Sequence, residues 1–576
     1  MISSHPAVRP NNSTGSEDDL AADSRTVAIG ILASRITGFG RVAVMAAVLG
    51  PTYFGNLFQF SSILFSTLYS LVMGALMSAL LVPPLVRRIT DRNPRALRRF
   101  ANAALGAMMV VLFGAGALTV LVLPLILGAL TYDVEDPVVR RQHLQLGIEL
   151  ALMLMPQVAL YGIIGAGVAV QQAHGRFAIA AAAPCVENLG IIVVLSTSAL
   201  VFGTGVDTDA ISTEQIMLLG LGTTAAVAIH AGLQWWGAYR VGVPLVPRPD
   251  DWREPEVRTM LREGSSSIGY TSLYWGAFLL VLVTAGAIPG GIVAFQMATN
   301  LCKFPAALVA LPLASAQLPR LSGNHHRNQL DQFRNTYWAG LRLVIFIALP
   351  ASLLLAAIPQ TLARSVAFGE MHSVTGIALL ASSIGGLGLG VVGESAFTLA
   401  TSSCYARDDK STPLQAMVVR LVIIGMGVAI ARATLAGPEL LWTLGAVVSA
   451  GNIAAGVYLH WGLRRALRDT SSPLGGIGRG ELILAAVSVL PAVLLAYSLE
   501  SDSATIYSTA SLAVMAVVGS TITYVALHFL RGSLELKLMF PSIEQVRFFG
   551  RIPPRRPEAA ASRPASEPDS QFHRDK

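Results

Sequence analysis

Two arginines lie inside the first long apolar run of the sequence. The run covers residues 26–56, and it contains Arg35 and Arg41 with no acidic residue between them. A guanidinium near the middle of a bilayer costs about 2.5–3.5 kcal/mol on insertion scales, so two in one span need an explanation. One explanation is that the side chains reach opposite headgroup layers, although six residues of helix separate them by only ~9 Å. The other is that they line a water-filled cavity and bind an anion there.

Charged residues also lie within later apolar runs, among them Glu187, Lys303, Glu394 and Arg420. Lys303 lies in the middle of its run, where its side chain has difficulty reaching either surface, so we expect it to be a third cavity cation. Glu187 and Arg420 occupy corresponding positions of an internal repeat. We expect them to pair across two lobes, either within an ion-coupling path that includes Glu394 or as a buried ion pair with no transport role. His230 lies near a predicted membrane interface, which indicates ordinary anchoring.

The composition is typical of a polytopic membrane protein. Of the 576 residues, 53% are hydrophobic and 13% are charged. The net charge of +7 comes mostly from short connections between apolar runs, where it sets orientation, so we expect no nucleic-acid partner. The three cysteines lack metal-ligand spacing, and the sequence has no phosphate-binding loop, dinucleotide fingerprint or nucleophile elbow. We therefore expect a transporter without catalytic residues, metal or cofactor, driven by the membrane potential, by Na⁺ or H⁺, or by its substrate.

Fourteen apolar runs predict an all-α polytopic membrane protein with fourteen transmembrane helices. The runs are 26–56, 57–86, 101–130, 144–170, 178–202, 216–238, 265–288, 292–318, 336–357, 375–402, 414–432, 440–463, 480–500 and 505–530. Arginines gather in the even-numbered connections, beginning with the cluster at residues 87–99, whereas acids such as Asp207 lie in odd-numbered ones. Basic connections mark the cytoplasmic side of a membrane, so we expect both termini to be cytoplasmic.

A weak internal repeat divides these helices into two lobes. SALLVPPLVRR, starting at Ser78, and SAQLPRLSGN, starting at Ser315, are 237 residues apart. This offset predicts two six-helix lobes, followed by two extra C-terminal helices, with a substrate site between the lobes. The predicted boundaries are a disordered N-terminal tail 1–25, an N-terminal lobe 26–240, a link 241–264, a C-terminal lobe 265–463, two further helices 480–531, and a cytoplasmic tail 532–576 that is disordered from about 551.

Several motifs resemble one family. SRITGFGR (Ser34 to Arg41), GRFAIAAAAPCVENL (Gly175 to Leu189), Phe304-Pro305 and YARDDKSTP (Tyr405 to Pro413) are similar to the MurJ/MviN family of lipid II flippases, within the superfamily of multidrug, oligosaccharidyl-lipid and polysaccharide exporters. The resemblance implies two lobes around a central cationic cavity, with the last two helices forming a groove for a polyprenyl tail. It also implies residence in the bacterial cytoplasmic membrane and a part in peptidoglycan biosynthesis, with membrane lipids and cell-wall synthesis or division proteins as partners.

The chain departs from the family pattern at several charged positions. Val42 and Asn56 stand where the family has acids, Tyr69 where it has an arginine, and Thr299-Asn300 where it has Asp-Arg. Lys303 follows Asn300 by about one helical turn, so the cavity retains three candidate cations. We expect Arg35, Arg41 and Lys303 to hold a diphosphate, and Asn56, Tyr69 and Asn300 to offer neutral hydrogen bonds to sugar or peptide.

Three functions are compatible with the sequence. The first is a flippase for a polyprenyl-diphosphate-linked cell-wall precursor, with lipid II as the default cargo and another linked glycan as its rival. The second is an ion-coupled antiporter of amphiphilic cations, for which Glu187 and Glu394 would form the site. The third is a transport-inactive paralogue that acts as a scaffold for cell-wall enzymes.

Overall fold

The protein is built from α-helices. The computed structural model describes residues 17–76, 81–132, 136–248, 255–468, 479–499, 506–531 and 533. Its helices are α1 (Glu17–Leu49), α2 (Tyr53–Leu76), α3 (Val82–Thr90), α4 (Pro94–Leu130), α5 (Pro137–Leu154), α6 (Gln157–Ala173), α7 (Ala178–Phe202), α8 (Thr213–Arg240), α9 (Pro255–Ala285), α10 (Gly291–His326), α11 (Leu330–Ala357), α12 (Pro359–Val366), α13 (Val374–Gly388), α14 (Val391–Tyr405), α15 (Ser411–Thr434), α16 (Gly437–Ala466), α17 (Arg479–Leu499) and α18 (Ile506–Arg531).

Each of the fourteen apolar runs coincides with one helix or with a pair of helices. In the described ranges, 11 spans are long and apolar enough to cross a membrane, or 12 if α13 and α14, bent by 46°, form one broken span. The other two runs are α2, which carries many hydroxyl and amide side chains, and α9, whose apolar part is Gly269–Ala285. The helical, multi-pass class is confirmed, and the count of fourteen stays a prediction.

Two predicted boundaries need correction. α1 begins at Glu17 rather than near residue 26, because Glu17–Arg25 contains no glycine or proline and places acids at the helix N-terminus, where the macrodipole favours them. α9 begins at Pro255, inside the predicted link 241–264, and proline is well suited to the first turn of a helix. Residues 1–16 and almost all of the tail 532–576 lie outside the described residues.

Helix packing follows two groups. In the first half of the chain α7 packs on α1 and α8, and α6 packs on α4 and α8. In the second half α16 packs on α13, α14 and α15, and α10 packs on α11 and α14. α17 and α18 form a pair that contacts α11 and α12. The two halves meet where α1 and α2 contact α10 and α2 contacts α9, so any space enclosed there is bounded by both halves.

One polar junction, which we call the Asn56 clasp, joins the halves at the start of α2. The Nδ2 of Asn56 donates to the carbonyl oxygens of Ile288 at 2.7 Å and Gly286 at 3.3 Å, and its Oδ1 accepts from the backbone N–H of Ile292 at 2.9 Å. The backbone N–H of Gly290, in the left-handed region at φ 71°, donates to the carbonyl of Thr52 at 3.0 Å. The turn between α9 and α10 is therefore fixed to α2 at this point.

Candidate functional site

A cavity of about 120 Å³ lies at the meeting of the two halves. We call it the central cavity. Its walls come from five helices of the first half and from α9 and α10 of the second. The charged residues among its lining are Arg41, Glu187 and Lys303, and the polar ones include Gln59, Ser62, Ser66, Gln157, Tyr161, Thr223 and Gln296. The lining carries two cations and one acid, which suits a hydrated anionic ligand.

Arg41 is positioned by the close packing of α1 on α7. Asn188 of α7 donates to the carbonyl oxygen of Ser34 at 3.3 Å and to the Thr37 hydroxyl at 3.2 Å. Gly30 faces Ala181 so closely that a β-carbon there would meet the Ala181 methyl group at 2.9 Å. This packing brings Nη1 of Arg41 to 4.0 Å from Oε1 of Glu187. The contact is longer than a hydrogen bond, so an incoming anion can compete for the guanidinium.

Three buried polar atoms at the central cavity have no hydrogen-bond partner among the described residues. They are Nε of Arg41, Oε1 of Gln59 and Oε1 of Gln296. A buried polar atom left in this state costs about 1–3 kcal/mol, so such atoms tend to mark places where water or a ligand binds. Together they offer one charged donor and two acceptors.

Lys303 reaches the central cavity from the other half of the chain. Its Nζ donates to the Tyr274 hydroxyl at 3.3 Å and lies 5.6 Å from the centroid of the Phe278 ring. The same residue also lines a second cavity, of about 30 Å³, whose charged residues are Lys303, Glu394 and Arg420. We call this second space the C-lobe cavity. Lys303 therefore stands between the two spaces.

Arg420 is fixed within the C-lobe cavity. Its Nε donates to Oδ1 of Asn452 at 2.7 Å, and its guanidinium carbon lies 4.7 Å above the centre of the Tyr274 ring. The residue is only 6% exposed. Glu394 lines this cavity and an adjoining one of about 230 Å³.

Glu187 has a partner that the sequence analysis did not assign. Its Oε2 lies 2.6 Å from Nδ1 of His230, which is 5% exposed. Nε2 of His230 lies 3.3 Å from Nε2 of Gln234, whose Oε1 accepts from Gln171 at 2.7 Å. The structure therefore places His230 in a buried polar chain rather than at an interface. Its spacing from Gln234, four residues along α8, was the available signal, because positions four apart share a helix face.

The predicted pair between Glu187 and Arg420 is not formed in this structure. Glu187 contacts Arg41 and His230, whereas Arg420 contacts Asn452 and Tyr274. Glu187 lines the central cavity, whereas Arg420 lines the C-lobe cavity. Because these residues occupy separate cavities, we now expect Glu187→Gln and Arg420→Gln to have additive effects on transport.

The other predicted site residues lie outside the central cavity. Asn56 is 1% exposed and uses its amide in the clasp, and Nδ2 of Asn300 donates to the carbonyl of Gln296 within α10 at 2.9 Å. Tyr69 stacks on Tyr161 with ring centres 4.8 Å apart, one layer behind the cavity wall. Arg35 is exposed on α1 and is not among the lining residues described. Of the six predicted substrate contacts, the structure brings together Arg41 and Lys303.

The YARDDKSTP motif has a structural explanation. Oδ1 of Asp409 accepts from the backbone N–H groups of Ser411 and Thr412, and its Oδ2 accepts from the Thr412 hydroxyl at 2.6 Å. Burial alone would raise the pKa of Asp409, but these donated hydrogen bonds outweigh it and hold that pKa below its ordinary value. The motif thus starts α15, and Asp409 lies in the connection between α14 and α15.

Two groups of membrane-spanning helices around a cavity with cations from both groups define a membrane transporter. Comparison of the sequence with protein families gives the particular family. The chain belongs to the MurJ family, whose sequence profile is described as lipid II flippase MurJ and matches residues 45–540.

Individual relatives agree with this assignment. The chain is 22% identical over 404 residues to a probable lipid II flippase MurJ of Rhizobium tropici, covering 69% of this chain and 73% of that one. It is 24% identical over 405 residues to the lipid II flippase MurJ of Burkholderia cenocepacia, covering 68% and 74%.

Solved structures show the same fold. A lipid II flippase MurJ in an inward closed conformation matches with a TM-score of 0.67 at 13% identity, covering 87% of this chain and 98% of that one. An inward-facing multidrug resistance MATE family transporter of the MOP superfamily matches with a TM-score of 0.57 at 17% identity, covering 76% and 96%. The resemblance inferred from the sequence motifs is confirmed.

Proposed function

We propose that this protein is a flippase that moves lipid II from the inner to the outer leaflet of the bacterial cytoplasmic membrane by alternating access. One observation carries the proposal beyond family membership. Arg41 from the first half of the chain and Lys303 from the second line the same cavity. A diphosphate bound there contacts both halves at once, and its two negative charges outweigh the single charge of Glu187.

The substrate fits the cavity by parts. Arg41 and Lys303 hold the diphosphate through charge-assisted hydrogen bonds, which are stronger than hydrogen bonds between neutral groups. The side-chain oxygens of Gln59 and Gln296, which have no donor among the described residues, accept hydrogen bonds from sugar hydroxyls or peptide amides. The polyprenyl tail stays in lipid along the pair formed by α17 and α18, since hydrocarbon gains nothing from entering a polar cavity.

Depletion of the protein tests the cargo. In cells where it is the sole flippase, lipid II should accumulate, and the fraction accessible from outside should fall. Re-expression of the wild-type chain is the control and should reverse both changes. Accumulation of a different polyprenyl-linked glycan, with lipid II unchanged, would contradict the proposed cargo.

For coupling we propose protons, bound by Glu187 and His230. With His230 neutral, the Glu187 carboxylate attracts Arg41. A diphosphate that binds Arg41 competes with Glu187 for the guanidinium, and a proton shared by Glu187 and His230 would offset the added negative charge. Tyr161 on α6 and Lys303 on α10 line the same cavity as Glu187, and Tyr69 on α2 stacks on Tyr161. Binding then takes up a proton, so lower pH should tighten binding.

His230→Gln tests the proton site. In the wild type, affinity for lipid II in nanodiscs should rise as the pH is lowered, and in His230→Gln this pH dependence should disappear. Lipid II is a suitable probe because a diphosphate esterified at both ends does not titrate in this range. His174→Gln, whose ring bonds the Val170 carbonyl at the end of α6, is the matched control and should keep the wild-type slope. An unchanged slope in His230→Gln would exclude this site.

We also propose that both termini are cytoplasmic and that cell-wall synthesis and division proteins bind the transporter. Orientation can be tested with an impermeant thiol reagent in a Cys185→Ser background, because Cys302 and Cys404 are buried. Asp207→Cys should be labelled from outside the cell, whereas Arg95→Cys and Arg468→Cys should react only after the membrane is permeabilised. The reverse pattern would overturn the orientation.

A further inference from the structure

The C-lobe cavity contains an unsatisfied charge that the flippase proposal does not use. Nη1 of Arg420 is buried and has no hydrogen-bond partner among the described residues, although Nε of the same group is well bonded. A buried guanidinium nitrogen without a partner is strongly unfavourable. This nitrogen borders a space that Lys303 and Glu394 also line.

The charged side chains around the C-lobe cavity determine whether it favours an anion or a cation. Arg420 and Lys303 both lie near the Tyr274 ring, with the guanidinium carbon 4.7 Å and the ammonium nitrogen 5.9 Å from its centre. Glu394 is the acid of the set, so the three side chains carry a net charge of +1. Two cations facing one space repel Na⁺ and amphiphilic cations, and a single negative charge brings the set to neutrality.

The volume of the C-lobe cavity limits the size of the ligand. Its volume of about 30 Å³ exceeds the roughly 10–15 Å³ needed to hold one water, so it has room for a water-sized species or a small ion. A sugar, a phosphate diester or a peptide does not fit it. We propose that the C-lobe cavity binds one small monovalent inorganic anion of the size of chloride, held by Nη1 of Arg420 and Nζ of Lys303. This site is distinct from the diphosphate site in the central cavity and shares only Lys303 with it.

Sharing Lys303 gives the anion an effect on the substrate. An anion in the C-lobe cavity neutralises part of the charge that Lys303 presents to the central cavity. Binding of the small anion and of a diphosphate should therefore be mutually weakening, by the same factor in both directions.

Thermal unfolding of the purified protein measures the anion without any transport step, so its failure would leave the flippase proposal standing. With chloride replacing gluconate at constant ionic strength, the wild-type Tm should rise and saturate. Arg420→Gln should lose this shift. Glu394→Gln should lower the half-saturating chloride concentration about tenfold or more, since it removes the repelling charge. Arg41→Gln and Arg432→Gln should keep the shift and serve as controls for the central cavity and for α15.

Anomalous diffraction from wild-type crystals grown in bromide gives a second test that needs no variant. A bromide peak between Arg420 and Lys303 is expected. A peak beside Arg41 with none in the C-lobe cavity, or a wild-type Tm that does not respond to chloride, would overturn the proposal.

Discussion

Alanine at Arg41 or at Lys303 should abolish or sharply reduce lipid II export at an unchanged protein level. Each cation makes a charge-assisted contact with the diphosphate that is worth roughly 1.5–3 kcal/mol. Losing one should therefore weaken binding about ten- to a hundredfold, because 1.4 kcal/mol is a factor of ten. The measurement is the outward-accessible fraction of lipid II in cells that depend on the variant, together with lipid II affinity of the purified protein.

Conservative and compensating changes make this test sharper. Arg41→Lys should recover little, because an ammonium cannot reproduce the planar fork of the guanidinium. Lys303→Ala combined with Asn300→Arg should recover part of the loss, since position 300 lies about one turn away on the same face of α10. Arg35→Ala should cost less than Arg41→Ala, because Arg35 does not line the central cavity. Normal export by both single alanine variants would show that the diphosphate site is wrong.

Replacement of Asn56 should unfold the protein rather than impair binding. Asn56→Ala leaves the carbonyl of Gly286 and the N–H of Ile292 without their partners in a buried position, whereas the carbonyl of Ile288 keeps the bond from Gly291. Each unsatisfied group costs about 1–3 kcal/mol, so the loss should be about 2 kcal/mol or more in total. Asn56→Asp should also destabilise, because a carboxylate cannot donate to the two carbonyls and would face them with a negative charge.

The thermal midpoint and the folded yield of the purified variants measure this effect. Asn300→Ala is the matched control, because its side chain bonds only within α10 and its loss should change the midpoint little. A folded Asn56→Ala with the wild-type midpoint and impaired lipid II binding would restore the original expectation that Asn56 contacts the substrate.

The predictable part of this protein is the part that local sequence determines. Apolar runs of sufficient length became helices, and arginine or lysine in the middle of a run indicated cavity cations for Arg41 and Lys303. The same reasoning failed for Asn56, because its partners are backbone groups of a turn some 230 residues away. It failed for His230 because membrane depth does not reveal which helix face meets Glu187. Contacts between distant segments decide such cases, and one sequence does not contain them.

The Asn56 clasp fixes one end of α2 to the second half of the chain and leaves its other end free of this contact. From Asn56 to its end at Leu76, α2 extends for ~30 Å, so a rotation of about 10° at the clasp moves the far end by roughly 5 Å. Separation of the two halves at the far end of α2 leaves the three hydrogen bonds of the Asn56 side chain intact. Separation at the clasp itself has to break them. The two directions of access therefore differ mechanically. One is a rotation of α2 about the intact clasp, and the other begins with the loss of the clasp hydrogen bonds.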